Sequence, residues 1–279
     1  MVDPANTVHD RPVRPGQYRQ LLRHGWGLTT VRTHLRGWQV LRESIGQEWV
    51  PIDPARPWLL RTRPTGAERW LRGSRRSAVR HGFGASFLDE EPIEWQARYG
   101  DYGAARPRPR PGCWQFPSTQ FLAALPRDPE ALLNRLTSDS PDRPDSPDRR
   151  GQAGPWTYAV DALKTGRVPA DLRAALYRAL ALLPAVRTVE DVTNLDGAPA
   201  IALVLDRDPL REEIHLDPRD GQYIGSRTTV IARNRLFPFR PGTVTGPPRC
   251  GSNWSQKWVR TPNRARSAAM SARSRSVGW

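Results

Sequence analysis

The side chains that could carry out acid–base or metal chemistry are few and scattered in this chain of 279 residues. Its histidines are His9, His24, His34, His81 and His215. They show neither HExxH nor another spacing typical of metal ligands. We interpret His215, beside Glu212 and Glu213, as an ordinary strand residue, and Cys113 and Cys250 lack a CxxC spacing. The sequence therefore predicts a protein that is not an enzyme and that holds no metal or cofactor.

One segment has a partial similarity to a hydrolase motif. Gly82 to Ser86 reads Gly-Phe-Gly-Ala-Ser, which lacks the closing glycine of a nucleophile elbow. It also lacks the Gly-Lys-Ser/Thr ending of a phosphate-binding loop. Asp217 and Asp220 fit a β-turn better than a calcium loop. A hydrolase that uses Ser86 is therefore the least favoured alternative.

Tryptophans are the side chains best suited to bind a ligand. The chain has 11 of them, and five follow one predicted meander: Trp26, Trp38, Trp49, Trp58 and Trp70. Tryptophans between arginines can stack on nucleic-acid bases, line an apolar groove or fill a core, and core packing is the commonest of the three. For a ligand-binding groove, the candidate lining is Trp38, Trp49 and Trp58.

The formal net charge of +15 suggests a nucleic-acid partner. However, every cation except Lys164 and Lys257 is an arginine, a bias as typical of GC-rich coding as of phosphate binding. Seven of the cations follow Pro247, where the chain has no acidic residue. We therefore expect no specific nucleic-acid partner, and basic nucleic-acid binding remains the first alternative.

The elements that must position these residues begin with a meander organised around Trp49–Gly66. Two apolar runs led by Trp49 and Trp58 flank a proline-rich connector, and proline cannot donate a hydrogen bond within a sheet. Short strands are predicted at Gln17–Leu22, Leu28–His34, Trp38–Ser44, Gln47–Val50, Trp58–Arg63 and Glu68–Arg72, with Gly25 and Gly27 as interruptions. Arginines such as Arg19 and Arg23 should place charge on one face of this sheet and apolar groups on the other.

Helical signals begin at Asp128, an N-cap residue followed by Pro129. A tandem duplication without apolar residues follows at Asp139–Arg150 and predicts a linker. Two helices are expected at Trp156–Lys164 and Pro169–Leu183, and the second has leucines at spacings of four, four and three. Four strands joined by hairpin turns are expected at Val186–Val192, Ala200–Asp206, Arg211–Leu216 and Tyr223–Ile231.

These elements predict an α+β fold: a curved antiparallel sheet, a half-barrel-like meander, with one long amphipathic helix packed on it. Residues 1–15 are expected to be disordered. Residues 16–246 form the single domain, with loops at 73–112 and 138–154. Residues 247–279 have no hydrophobic periodicity and are predicted to be a disordered tail.

Five segments together resemble one protein family: Pro15–Arg19, Glu48–Arg61, Leu125–Leu133, Val168–Pro184 and Gly242–Gly246. The family consists of uncharacterised actinobacterial proteins encoded next to extracytoplasmic-function sigma factors. Its members typically carry an N-terminal cytoplasmic segment, one transmembrane helix and this domain outside the membrane. The resemblance covers roughly Pro15 to Gly246, and no catalytic residue carries over from it.

The resemblance implies a non-enzymatic, envelope-side sensory, regulatory or ligand-binding domain. A lipid-like or peptide ligand, or an envelope protein, is the expected partner. The fold is similar in outline to the half-barrels of lipoprotein carriers and sigma-factor regulators. No membrane span is found in this sequence, so the chain as encoded is expected in the cytoplasm, with a truncated or misassigned start and impaired function.

The C-terminal tail suggests a change of reading frame. Read one base earlier with GC-favoured third bases, the codons from Cys250 to Val259 give Leu-Arg-Val-Glu-Leu-Val-x-Glu-Val-Gly. That pattern alternates apolar and polar residues as a strand does. We therefore expect a frameshift between Gly246 and Cys250 and a missing final strand, which would leave a sheet edge exposed.

Overall fold

The computed structural model describes residues 8–10, 16–32, 36–53, 56–83, 92–102, 107–109, 111–140, 153–233, 239–245 and 253–260. Its fold is α+β, with two antiparallel sheets of four and five strands and five helices in the described part of the chain. The predicted fold class is therefore confirmed at this level.

The first sheet consists of β1 (Tyr18–Arg32), β2 (Gly37–Pro51), β3 (Pro57–Arg72) and β4 (Ile93–Arg98), in the order β4-β3-β2-β1. The turn between β2 and β3 coincides with the proline-rich connector, as predicted. The prediction that Gly25 and Gly27 interrupt the first strand is wrong. Gly25 pairs with Ser44 on one side of β1 and with Trp254 on the other, so hydrogen-bonded partners on both sides offset the weak strand preference of glycine.

The second sheet consists of β5 (Val186–Thr193), β6 (Pro199–Arg207), β7 (Leu210–Leu216), β8 (Tyr223–Val230) and β9 (Val244–Thr245). Its order is β8-β7-β6-β5, and β9 pairs with β8. These strands confirm the predicted meander. The turn after β5 forms because Asn194 Oδ1 accepts hydrogen bonds from the backbone of Asp196 at 3.0 Å and of Ala198 at 2.9 Å.

The helices are α1 (Arg75–Arg80), α2 (Thr119–Ala124), α3 (Pro129–Asp139), α4 (Ala153–Lys164) and α5 (Ala170–Ala181). The main core packs side chains of α2–α5 against β6, β7 and β8. The predicted leucine stripe of α5 is buried there, but α5 has 12 residues, as α4 has, so several short helices cover the second sheet instead of one long helix. None of the described helices has the length and apolarity needed to cross a bilayer.

Strand β10 (Asn253–Arg260) lies between β1 and β8 and joins the two sheets into one path. The structure therefore differs from the predicted disorder of 247–279 over these eight residues. The physical reason is that the facing edges of β1 and β8 offer unpaired backbone groups, which can be satisfied with little regard to side chains. Residues 246–252 and 261–279 lie outside the described residues.

Two further expectations differ from the structure. The expected loop at 73–112 contains α1 and β4, and it is described only in part. Within the expected disorder of 1–15, His9 and Asp10 contact α5. Arg173 donates to Asp10 Oδ1 at 2.7 Å and to the His9 carbonyl at 3.1 Å, because a buried guanidinium requires acceptors. Of the duplicated segment, Asp139 ends α3, Ser140 follows it, and residues 141–150 lie outside the described residues, as do residues 151–152.

Candidate functional site

The three tryptophans predicted to line one groove do not lie together. Strands β1 and β2 pair without a register shift from Gly37 to Pro51, so successive residues of β2 alternate between the two faces of the sheet. Trp38 and Trp49 are an odd number of positions apart and therefore lie on opposite faces. Trp49 pairs with Leu59, so Trp58 next to Leu59 also lies on the face opposite Trp49.

Trp38 is a core residue that anchors α1. It is only 2% exposed, and its Nε1 donates to Ser77 Oγ at 3.2 Å. Its ring packs against His81 and Phe83, with centroids 5.0 and 5.4 Å away. Trp38 therefore has the commonest of the three roles considered for these tryptophans.

Trp49 lies on a polar face of the first sheet. The guanidinium of Arg61 lies 5.5 Å from the centroid of its ring and is ion-paired with Glu94 at 2.7 Å. A shallow groove at the edge formed by β3 and β4 is lined by Ile45, Gln47, Arg61, Arg63 and Glu94 of this face, together with the edge residues Thr62, Pro92 and Ile93. Trp49 is thus covered by a cation and does not line an apolar groove.

Trp58 contacts two distant parts of the chain. The guanidinium carbon of Arg167, in the loop between α4 and α5, lies 4.7 Å from the centroid of its ring. Gly100, just after β4, packs so closely that an added Cβ would lie 2.7 Å from the ring. Trp58 lies on the face of the sheet opposite Trp49. On that face it contacts the half-buried guanidinium of Arg167.

The pairing registers show which residues share a face with Trp58. Leu21 pairs with Glu48, Glu48 with Leu60, and Leu60 with Trp95, so these four form a row across β1–β4. Arg23, Gly46, Thr62 and Ile93 form the adjacent row in the same way. We call this surface the arginine face and define it by Arg19, Leu21, Arg23, Glu48, Trp58, Leu60, Ile93 and Trp95.

The charge distribution on this face corrects one prediction. Charges and apolar groups were expected on opposite faces, but Arg19 and Arg23 alternate with the buried Leu21 on the same face. The arginines are half-buried there because acceptors are available. Arg23 forms an ion pair with Glu48 at 2.8 Å, and Arg19 donates to the Gly166 carbonyl at 3.5 Å.

The single carboxylate in the middle of the arginine face is shared. Glu48 is 8% exposed, and besides the ion pair with Arg23 it accepts a hydrogen bond from Tyr102 Oη at 3.1 Å. Burial raises the pKa of Tyr102, and the nearby Glu48 raises it further, so the hydroxyl remains a donor. Glu48 is therefore engaged by two donors.

Arg167 is the least satisfied cation of the site. Within the described part of the chain, its guanidinium stacks on Trp58 and forms no hydrogen bond or ion pair with a carboxylate or a carbonyl. Burial lowers its pKa, Glu48 opposes this effect and Arg19 adds to it. An arginine nonetheless stays charged at neutral pH, so the site holds a half-buried positive charge.

A second polar cluster lies between α4 and the second sheet. Asp161 accepts from Gln115 Nε2 at 3.1 Å, and burial raises the pKa of its carboxyl. Glu212 accepts from Trp156 Nε1 at 2.8 Å and from Arg207. Because both carboxylates have donors, we assign this cluster a structural role.

Among the histidines, His215 is buried in β7, with Nε2 3.3 Å from Glu213 Oε2. His24 forms a contact that no local pattern indicates. Its Nδ1 lies 2.6 Å from Asp196 Oδ1, in the turn between β5 and β6, and its Nε2 lies 2.9 Å from Glu43 Oε1. His24 therefore links the two sheets through two carboxylates.

The described residues contain no cluster of three acidic, histidine or cysteine side chains suited to a metal ion. Asp217 and Asp220 belong to the turn between β7 and β8, where Gly221 N donates to the Asp217 carbonyl at 2.9 Å. Ser86 and His34 lie outside the described residues. No protein-family model, curated protein or solved structure matches this chain.

Sequence reasoning missed Arg23, Glu48, Tyr102 and Arg167 as parts of one site. These residues come from β1, β2, the segment after β4 and the loop after α4. A signal existed in the arginines that alternate along β1, but their burial depends on what covers the strand. What the chain does is therefore inferred from the chemistry of the arginine face.

Proposed function

We propose that this chain is a non-enzymatic ligand-binding or sensory domain, of the envelope-side, sigma-factor-associated kind that the sequence resemblance implies. The observation that carries the proposal is an exposed apolar strip beside half-buried charges on the arginine face. Trp95 is 49% exposed and Ile93 is 41% exposed, although both are large apolar side chains. Apolar surface with a few well-placed polar groups is typical of ligand sites.

The neighbours of the strip favour a ligand site over an accidental exposure. Leu60 pairs with Trp95, and the ring of Tyr102 lies 6.3 Å from that of Trp95. The same Tyr102 donates to Glu48, so apolar and charged groups are contiguous. A ligand on this surface would contact both kinds of group.

The proposal includes the curved half-barrel. Helices α4 and α5 pack on β6–β8, and the loop that joins them contacts Arg19 and Trp58 on the first sheet. The helices thus pack on the second sheet while the loop between two of them contacts the first, which supports curvature of the strands around this layer. In this arrangement the helices cover the second sheet, and part of the arginine face is left for a ligand.

Calorimetric titration with dodecyl maltoside, a neutral amphiphile, below its micelle-forming concentration tests this function. We expect saturable binding by the wild type. The substitution Trp95→Ser should weaken it by about tenfold, because losing about 1.5 kcal/mol of apolar burial has that effect on affinity.

The matched control is Phe116→Ser. Phe116 is another exposed aromatic residue, at 71%; it precedes α2 and is not one of the residues that define the arginine face. Its substitution should leave binding unchanged. Absence of binding by the wild type, or equal losses in the two variants, would contradict the proposed function.

A further inference from the structure

The environment of Arg167 indicates what kind of ligand the arginine face takes. A guanidinium carries five N–H donors and no acceptor. In the described part of the chain, the Arg167 side chain has one assigned contact, the stacking on Trp58 at 4.7 Å. Stacking leaves the in-plane donors without a protein acceptor, and none of them belongs to the fully buried, unpartnered atoms of the described residues, so an incoming anion can reach them. The arrangement favours an external anion.

The nearby acidic group does not fill this role. Glu48 interacts with Arg167 only at longer range, whereas it contacts Arg23 at 2.8 Å and Tyr102 at 3.1 Å. Its oxygens are thus held by other donors. The positive charge of Arg167 therefore stays available to a ligand.

The loop that carries Arg167 is held in place. Gly166 has a φ of +62°, a conformation that glycine adopts without strain. Its carbonyl accepts from Arg19 at 3.5 Å, and Thr165 Oγ1 accepts from the Arg167 backbone N–H at 3.3 Å. The guanidinium is thus presented by the backbone of a fixed turn, which reduces the entropy lost on binding.

The apolar strip begins beside this charge. Trp58 pairs with Ala97, and the next pairs along the same face are Leu60 with Trp95 and Thr62 with Ile93. Four residues of a strand extend over about 13 Å. The surface therefore joins a cationic end, at Trp58 and Arg167, to an apolar stretch toward Ile93.

We infer that the ligand is an anionic lipid, whose head group binds the Arg167 guanidinium and whose chain lies along Leu60, Trp95 and Ile93. This inference rests on the proposed function and specifies its ligand. Charge complementarity selects the occupant, because a neutral lipid or an apolar peptide would leave the Arg167 donors unsatisfied. A guanidinium binds phosphate or carboxylate through two parallel hydrogen bonds.

The test compares dodecyl phosphate with dodecyl maltoside, which have the same chain and different head groups, by calorimetry on the full chain. Wild-type protein should bind dodecyl phosphate at least about tenfold more tightly, as expected for charge-assisted hydrogen bonds. Arg167→Gln should abolish this preference, so that the two amphiphiles bind with equal affinity. Arg167→Lys should retain part of the preference, because the charge remains without the fork geometry.

The matched control is Arg63→Gln. Arg63 is an exposed arginine of β3, the strand that carries Trp58, but it pairs with Ile45 on the opposite face of the sheet. It should keep the full preference. Equal binding of both amphiphiles by the wild type overturns the inference and leaves the proposed function standing, whereas binding of neither contradicts both. Inorganic phosphate that binds as tightly as dodecyl phosphate overturns the lipid part, and an equal loss in Arg63→Gln overturns the role of Arg167.

Discussion

Trp58 is held in place by a glycine that no other residue could replace without strain. Gly100 has a φ of +70°, and a Cβ at this position would lie 2.7 Å from the Trp58 ring. The same ring supports Arg167. The conformation of one small residue thus fixes the ring on which the Arg167 guanidinium stacks.

We therefore expect Gly100→Ala to lower the free energy of unfolding by about 1–3 kcal/mol more than a glycine substitution that meets no neighbour. Gly66→Ala is the matched control, because Gly66 has a φ of +85° with nothing within 4 Å of an added Cβ. Urea denaturation of both variants measures the difference. Equal destabilisation of the two variants would show that the Trp58 ring can shift away from the added Cβ at no energetic cost.

His24 is the residue whose titration should affect stability near neutral pH. Burial disfavours its charge, but hydrogen bonds with Asp196 and Glu43 outweigh this and raise its pKa above the usual 6.5. The protonated form is thus favoured in the folded state. Its stabilising contribution is complete below about pH 6.5 and is lost as pH rises through the higher folded pKa.

The stability difference between wild type and His24→Gln should therefore shrink as pH rises above about 6.5 and through the raised folded pKa of His24. Glu43 acts at the other end of the range. The hydrogen bonds from Thr65 and His24 lower its pKa, so its contribution is lost as pH falls below about 4.5. Denaturation curves of wild type and His24→Gln at a series of pH values that covers both transitions measure these effects. A stability difference between the two proteins that stays constant with pH would refute the role of His24.

Among the elements, β10 has the largest effect on how the sheets are joined. It pairs with β1 from Arg19 to Trp26 and with β8 at Gly225. Without it, β1 would present an open edge from Arg19 to Trp26, and β8 would present one at Gly225, next to the part that β9 covers. Open edges reduce stability and promote association between chains.

Deleting Pro247–Trp279 should therefore lower the melting temperature and cause concentration-dependent self-association, measured by calorimetry and light scattering. Deleting only the residues after Arg260 should change neither. Replacing Cys250–Val259 by the segment read one base earlier should raise the melting temperature, because its apolar–polar alternation suits a sheet with one buried face. A replacement that stabilises nothing would contradict the frameshift hypothesis.

At the scale of the whole molecule, the two sheets are stabilised differently. The second sheet is covered by α2–α5 and shares the main apolar core with them. The first sheet has the arginine face, where ion pairs and aromatic contacts replace much of the apolar packing. A covered half and a partly open half agree with the proposed ligand binding, because one supplies stability and the other supplies accessible surface.

Much of the second half of the fold could be predicted because its signals are local. The Asp128 side chain accepts from Ala131 N at 2.8 Å, as expected of an N-cap, and the turns at Asn194 and Asp217 form where expected. The leucine spacing of α5 placed its buried face correctly. Such features depend on neighbours within a few residues, which the sequence contains in full.

The candidate site could not be predicted from the sequence, because its contacts join residues that are distant along the chain. The grouping of Trp38, Trp49 and Trp58 failed because strand register, and not spacing between tryptophans, decides which side chains share a face. Arg167 reaches Trp58 only because the turn after α4 lies against the first sheet. The sequence by itself thus determined helices, turns and fold class, which follow from local periodicity and capping. Only the tertiary structure decided which charges are half-buried together, because burial depends on the register of β1–β4 and on the helices that cover the sheets.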